Sequence, residues 1–241
     1  MNLIIDCGNT RIKLAVFNNS KMIYNEAFTT HNFLEEVVNC IEKYKCNNAI
    51  ISSVGDLKIE EINTIKEKIP LIQVNSTLKI PFFNKYSTPK TLGVDRIGLV
   101  AAAVSQFPKK NVLVIDAGTC ITYDFVDAKA NYYGGAISPG INIRYKSLKK
   151  FTKKLPLLKP NFNVQLIGDS TETSIHSGII NGVLGEMDSI IERYRIKNED
   201  LTVVLTGGDV KFLSNKLKNS IFANSNFLLE GLNSILTYNL K

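Results

Sequence analysis

Apolar residues first fall in short runs near the amino terminus: LIID from Leu3 to Asp6, IKLAVF from about Ile12 to Phe17, and KMIYNEAF from Lys21 to Phe28. Short β-rich runs separated by turn residues predict three strands in succession, a β-meander with the DCGNT turn between the first two. The period then changes. In HNFLEEVVNCIEKYK, the residues Phe33, Leu34, Val37, Val38, Ile41 and Tyr44 recur at helical spacing and line one stripe. AIISSV reads as a buried strand, KIEEINTIKEK as a surface helix, and LIQV as another short strand.

The plan is then repeated. Strands are predicted at Val112 to Asp116, Ile121 to Val126 and about Tyr132 to Ile137, followed by helical patterns at Ile141 to Phe151 and Thr171 to Tyr194. LTVVLTGGD supplies a strand that ends in a glycine turn, and Pro156 and Pro160 make the stretch between the helices an exposed loop. The two halves also share wording. LIIDCGNTRIKLAVF begins at Leu3 and VLVIDAGTCITYDFV at Val112; each has an apolar run, an aspartate, a glycine two residues on, and more strand residues. Asp6 and Asp116 anchor the match, 116 − 6 = 110 residues apart. FPKKN, Phe107 to Asn111, marks the hinge, so the expected domains are 1–108 and 109–241. Alternating strands and helices predict an α/β fold, and a meander at the head of each half predicts mixed sheets.

Composition leaves this picture standing and removes several alternatives. With 44% hydrophobic and 21% charged residues, the chain resembles an ordinary globular protein and not a disordered one. No apolar run is long enough to span a bilayer, and the amino terminus lacks a signal-peptide pattern, so a cytoplasmic location is expected. The four cysteines form no CxxC pair and the two histidines lie far apart, which gives no support to a disulfide framework or a zinc site. Cys7 and Cys120, inside the repeated turns, are read as small buried thiols without chemistry. His176 falls in an apolar helical pattern and is read as packed or interfacial. The net charge of +7 includes the lysine-rich run Lys146 to Lys154, read as a solvated helix face; no nucleic-acid motif surrounds it.

Candidate chemistry gathers at the two turns. In the first, Gly8 lets backbone approach a ligand closely, Asn9 and Thr10 offer side-chain donors, and Lys13 adds positive charge, a set suited to phosphate. Asp6 would repel phosphate directly and is better placed to hold magnesium, through water. A tight hairpin that uses aspartate as a turn former explains one DxG equally well, but two of them, each closing an apolar strand, favour the functional reading. Farther on, Gly93 precedes a helix whose first turn carries Asp95 and Arg96. Helix capping accounts for that aspartate alone, but not for the whole string N-x-Y-x-x-P-x-x-L-G-x-D-R.

The paired DxG turns and the later TGGD, Thr206 to Asp209, resemble the phosphate and adenosine motifs of the actin, Hsp70 and sugar-kinase superfamily. The N-x-Y…GVDR string narrows this to a resemblance to type III pantothenate kinases, joined in order by DCGNTRIK, DAGTCIT, GGAISPG, the lone LP, GDSTETSIHSG and TGGD. The resemblance implies two ribonuclease-H-like halves with an ATP cleft between them. It further implies ATP contacts at Asp6, Gly8, Asn9, Thr10, Lys13 and Thr119, a monovalent cation (potassium or ammonium) at Asp116, and magnesium with ATP. Pantothenate contacts fall on Tyr86, Gly93, Val94, Asp95, Arg96 and Thr171, with Asp95 as the base. A homodimer is implied as well, in which Thr171 serves the other subunit's site. Cys120 and the GDST string depart from the family's usual residues. The alternatives are another small-molecule kinase or phosphatase of the superfamily, and a catalytically silent nucleotide-binding regulator.

Overall fold

The structure is a computed structural model and describes residues 1–8, 10–29, 32–55 and 58–240. The chain divides into two compact units, Met1–Lys109 with Lys129–Tyr133 and Asn226–Lys241, and Lys110–Ala128 with Gly134–Ser225. The first unit thus takes in two later segments of the chain besides the amino-terminal half.

In the first unit, β1 (Asn2–Cys7), β2 (Ile12–Asn18) and β3 (Lys21–Phe28) form the antiparallel meander. β4 (Asn48–Ser53) lies parallel to β1, and β5 (Leu71–Gln73) parallel to β4, giving the sheet order β3-β2-β1-β4-β5. Because side chains alternate across a strand, Leu3 and Ile5 share one face of β1, and Ile4 and Asp6 the other. The Leu3 face packs on helices α1 (Phe33–Tyr44) and α2 (Ile59–Lys68) through Phe33, Val37, Ile62 and Ile65. The opposite face is covered by α3 (Val94–Gln106) and by the carboxy-terminal helix α7 (Phe227–Asn239).

The sequence reading assigned no element beyond the TGGD turn, so α7 is an addition. It buries Leu228, Leu229, Leu232, Ile235 and Leu236, each worth about 1.5–3 kcal/mol. Asn233 fixes its register: Asn2 Nδ2 donates to Asn233 Oδ1 at 2.9 Å, and Asn233 Nδ2 donates to the Asn19 carbonyl at 2.8 Å. The short strand β6 (Phe83–Asn84) was also not read; it pairs in parallel with Asn131 and Tyr132.

The second unit repeats the topology. β7 (Val112–Ala117) pairs antiparallel with β8 (Cys120–Val126), next to which runs β9 (Asn131–Pro139), a strand that belongs to this unit from Gly134 onward. β10 (Thr202–Thr206) lies parallel to β7, and β11 (Phe222–Ala223) parallel to β10. The order β9-β8-β7-β10-β11 is that of β3-β2-β1-β4-β5 in the first unit, so the repeat in the sequence is a repeat of architecture, with two mixed sheets as expected. Helices α4 (Ile141–Phe151) and α5 (Thr171–Lys197) pack on each other and on this sheet through Tyr145, Ile180, Val183 and Met187. Ser170 and Thr173 close a reciprocal capping box at the start of α5. Between α4 and α5 the chain has no helix or strand, as the prolines require. His176 is buried, with Nδ1 2.7 Å from the Tyr145 hydroxyl, in the packed role expected of it. A four-residue helix, α6 (Val210–Leu213), follows the TGGD turn. No described helix is long and apolar enough to cross a membrane.

Candidate functional site

Strand β1 carries Asp6 to the end of the sheet, on the face that α3 covers. Pairing sets its neighbours: Lys13 of β2 and Ser52 of β4 stand opposite it, so the three side chains share one face. Asp6 and Ser52 are buried, and the Ser52 hydroxyl has no hydrogen-bond partner. Burial pushes the Asp6 carboxyl up to about 6; Lys13 pulls it down and the charge of Asp95 pushes it up further. Asp95, reached from a distant part of the sequence, is therefore electrostatically close to Asp6. Gly8 and Thr10 lie exposed in the turn beyond, and Asn9 lies outside the described residues. Burial, with Asp6 and Glu61 adding to it, pushes the Cys7 thiol up to about 12, far from nucleophilic service at neutral pH.

The first turn of α3 presents the next group. Gly93 occupies the N-cap and has no side chain to cap with; Asp95 takes up one of the free first-turn N–H groups instead, its Oδ1 accepting from Arg96 at 2.8 Å. Val94 and Asp95 are half-buried and Arg96 is buried. The Arg96 guanidinium lies 5.5 Å from the centre of the Tyr86 ring, which stacks on Tyr132 at 6.2 Å. Tyr86, Gly93, Val94, Asp95 and Arg96 thus form one cluster in the first unit.

The second unit answers Asp6 with Asp116, but in different surroundings. Across the sheet from Asp116 stand Thr122 of β8 and Thr206 of β10, where Asp6 has a lysine and a serine. Thr122 and Thr206 are buried, and the Thr122 hydroxyl has no hydrogen-bond partner. The TGGD turn closes over this group. Gly207 takes a φ of +98°, and a Cβ there would collide with the Ala117 carbonyl and with Asp116 Oδ1. Asp209 N–H donates to the same Ala117 carbonyl at 3.0 Å. Carboxylate, hydroxyl and carbonyl oxygens, with a threonine where the first unit has its cross-strand lysine, suit a hard cation. Thr119 is exposed at the tip of the turn. Thr171, exposed at the first position of α5, lines a cavity of about 640 Å³ with Arg144, Leu148, Leu155, Ser174 and Ile179. Among the described residues no cluster of three or more His, Cys, Asp or Glu side chains is arranged for a metal. A magnesium ion held by one carboxylate, water and substrate phosphates needs no such cluster.

The sequence assigns no role to Ser52 or Thr122, and it marks Thr206 only as the start of TGGD. Their significance comes from register, which a single strand does not display.

A fold of two such units, each closing its first strand on an aspartate–glycine turn, places the chain among the sugar-kinase-like folds. Glucokinase from an Antarctic psychrotroph superposes with a TM-score of 0.53 at 11% identity, covering 98% of each chain. A Campylobacter jejuni protein solved under the description of a conserved Baf family transcriptional activator superposes with a TM-score of 0.67 at 22% identity, covering 99% of this chain and 98% of that one. Sequence is more specific. The family model for type III pantothenate kinase matches residues 2–193, and the type III pantothenate kinase of Christiangramia forsetii is 54% identical over 240 residues, 99% of each chain. The chain belongs to the type III pantothenate kinase family.

Proposed function

We propose that this chain transfers the γ-phosphoryl group of ATP to the primary hydroxyl of pantothenate, giving 4′-phosphopantothenate, the first step of coenzyme A biosynthesis. The observation that carries the reading beyond family membership is the pairing of Asp95 with Asp6. Two carboxylates from distant parts of the chain influence each other at the end of one strand, and Asp95 uses only its Oδ1 on the helix start. In this reading Asp95 accepts the hydroxyl proton on Oδ2, while the Arg96 N–H holds Oδ1 and fixes the carboxylate's direction. Arg96, packed over Tyr86, takes the pantothenate carboxylate, and Gly93 and Val94 leave the helix start open to the substrate.

Asp6 holds magnesium through water, and Lys13 with the Gly8–Thr10 turn screens the ATP phosphates. The unpartnered Ser52 hydroxyl and the poorly compensated Asp6 charge both fit such a tenant. Thr119 contacts ATP. Asp116, with Thr122 and Thr206, holds potassium or ammonium, which tolerate the looser oxygen cage that a turn provides. Magnesium, when bound, neutralises charge developing on the transferred group; positioning supplies most of the rest.

The active form is a homodimer in the cytoplasm. Gly178, Gly182 and Gly185 leave open space along an exposed side of α5, which allows a second helix to approach closely, and Thr171 on that helix then serves the other subunit's pantothenate. Incubation with ATP, magnesium, potassium and pantothenate, followed by mass spectrometry, tests the activity: phosphopantothenate is expected. ATP consumption independent of pantothenate would return the chain to the wider kinase and phosphatase class, and no ATP consumption at all to the regulator. Light scattering that shows an active monomer would remove the dimer.

A further inference from the structure

Arg144, one turn into α4, lines the same cavity as Thr171, and a cation there invites assignment to a substrate carboxylate. Its bonds say otherwise. Arg144 Nε donates to the Pro139 carbonyl at 2.8 Å, and Nη2 donates to Ser138 Oγ at 3.0 Å and to Glu186 Oε2 at 2.5 Å. Its charge is matched by Glu186 of α5, and three donated bonds are directed at protein. Glu186 Oε1 in turn accepts the hydroxyl of Tyr123, a fully buried residue of β8, at 3.0 Å.

These contacts close a ring. Tyr123 stands a few residues past the Gly118–Thr119 turn on the same hairpin. From Tyr123 the ring runs to Glu186, to Arg144, and to Ser138 and Pro139 at the end of β9. It continues through Gly140, whose N–H donates to the Thr119 carbonyl at 3.1 Å. Gly140 sits so near the turn that a Cβ would collide with the Gly118 and Thr119 carbonyls. The Arg144 N–H also donates to the Gly140 carbonyl at 3.1 Å, so the backbone and side chain of one residue hold the Ser138–Gly140 segment from both ends. Burial pushes the Glu186 carboxyl up, but hydrogen bonds from Arg144, Ser138 and Tyr123 outweigh it and hold the group below its ordinary range, ionised at neutral pH.

We infer that Glu186 and Arg144 are positioning residues for the Gly118–Thr119 turn, acting on it through the Ser138–Gly140 segment and fixing where Thr119 meets the nucleotide. The nucleotide role of Thr119 rests on the proposed function; the mechanical tie does not. The Arg144–Glu186 pair is half-buried, its side chains 22% and 25% exposed, and a network bonded at each member resists displacement of any one. Misplacing a binding turn weakens the ligand it holds without abolishing the fold.

Glu186→Gln keeps the shape of the side chain and removes its charge, and Tyr123→Phe removes one hydroxyl from the ring. Neither residue lines the Thr171 cavity. For both variants, a roughly tenfold weaker calorimetric affinity for a non-hydrolysable ATP analogue is expected, with KM for ATP rising in parallel. KM for pantothenate should stay within about twofold of wild type, since the tie acts on the nucleotide turn. Hydrogen exchange in a peptide spanning 117–121 should quicken while that over β4 stays as in wild type. If Glu186→Gln fails to fold, Tyr123→Phe decides alone. Nucleotide affinity and exchange at the turn both unchanged, with only the melting temperature lowered, would overturn the inference and leave a purely structural ion pair. A wild type that does not bind the analogue would sink the proposed function instead, and exchange at the turn would still decide the tie.

Discussion

Replacing Asp6 by asparagine should make the ligand-free protein more stable at neutral pH while disabling it. Burial raises the folded carboxyl from 3.8 to about 6, partly offset by Lys13. A folded pKa above the unfolded one means that the native state binds the proton more tightly. The resulting stability is fully present below the unfolded value and is lost as pH rises through the folded one. The whole interval corresponds to about 3 kcal/mol at 1.36 kcal/mol per pH unit. About 1.4 kcal/mol of that falls between pH 5 and pH 8, a window in which the protein can be handled.

Asparagine keeps the shape and does not titrate. The stability of Asp6→Asn relative to wild type should therefore climb by about 1.4 kcal/mol from pH 5 to pH 8, or about 3–5 °C in melting temperature for a chain of this size. Paired thermal melts across that range read the difference directly, because every other titrating group is common to both proteins. Magnesium and ATP should raise the wild-type melting temperature and leave the variant's nearly unchanged, since occupancy of the site is what offsets the buried charge. A difference between the two proteins that is flat with pH would refute the argument. It would mean that water or Lys13 already compensates Asp6 in the native state.

Asp95→Asn should lower kcat by about a hundredfold or more at nearly unchanged melting temperature and ATP affinity, read by steady-state kinetics and calorimetry; wild-type turnover would reduce Asp95 to a helix-terminus residue. With magnesium saturating and ionic strength held by an inert salt, exchanging potassium for sodium should depress wild-type phosphopantothenate formation, and Asp116→Asn should flatten that difference. Thr122→Val deletes a buried hydroxyl that has no hydrogen-bond partner, so stability should hold or rise by up to about 1–3 kcal/mol while the potassium response weakens, as salt-exchange assays beside denaturation would show. Leu232→Ala, at a fully buried position of α7, should cost about 2–5 kcal/mol in denaturant unfolding, and a smaller loss would mean that α7 contributes little to the first unit.

What the chain disclosed in advance, and what it withheld, follows from the range over which each signal acts. The strands around Asp6 and Asp116 were legible because an apolar run ended by D-x-G is a local pattern, and it occurs twice. Asp95 was legible because a whole string of residues surrounds it. The α7 helix carries an equally local signal, with Leu228, Leu229, Leu232, Ile235 and Leu236 at helical spacing, but it lies beyond the TGGD turn, where the elements expected from the sequence end. Register is a different matter. The hairpin that pairs Cys7 with Ile12 has a turn one residue longer than the one that pairs Ala117 with Ile121. Aligning the two motifs on their aspartates therefore sets Lys13 against Tyr123, whereas the sheet sets Thr122 opposite Asp116. One residue of turn length exchanges a lysine for a threonine beside an otherwise equivalent carboxylate. In the first unit that carboxylate has a cation in its own sheet; in the second it has hydroxyl and carbonyl oxygens. The same duplicated turn thus sets a cross-strand lysine beside its aspartate in one half and threonine hydroxyls beside it in the other, and the difference arises from pairing geometry that no linear comparison of the repeats contains.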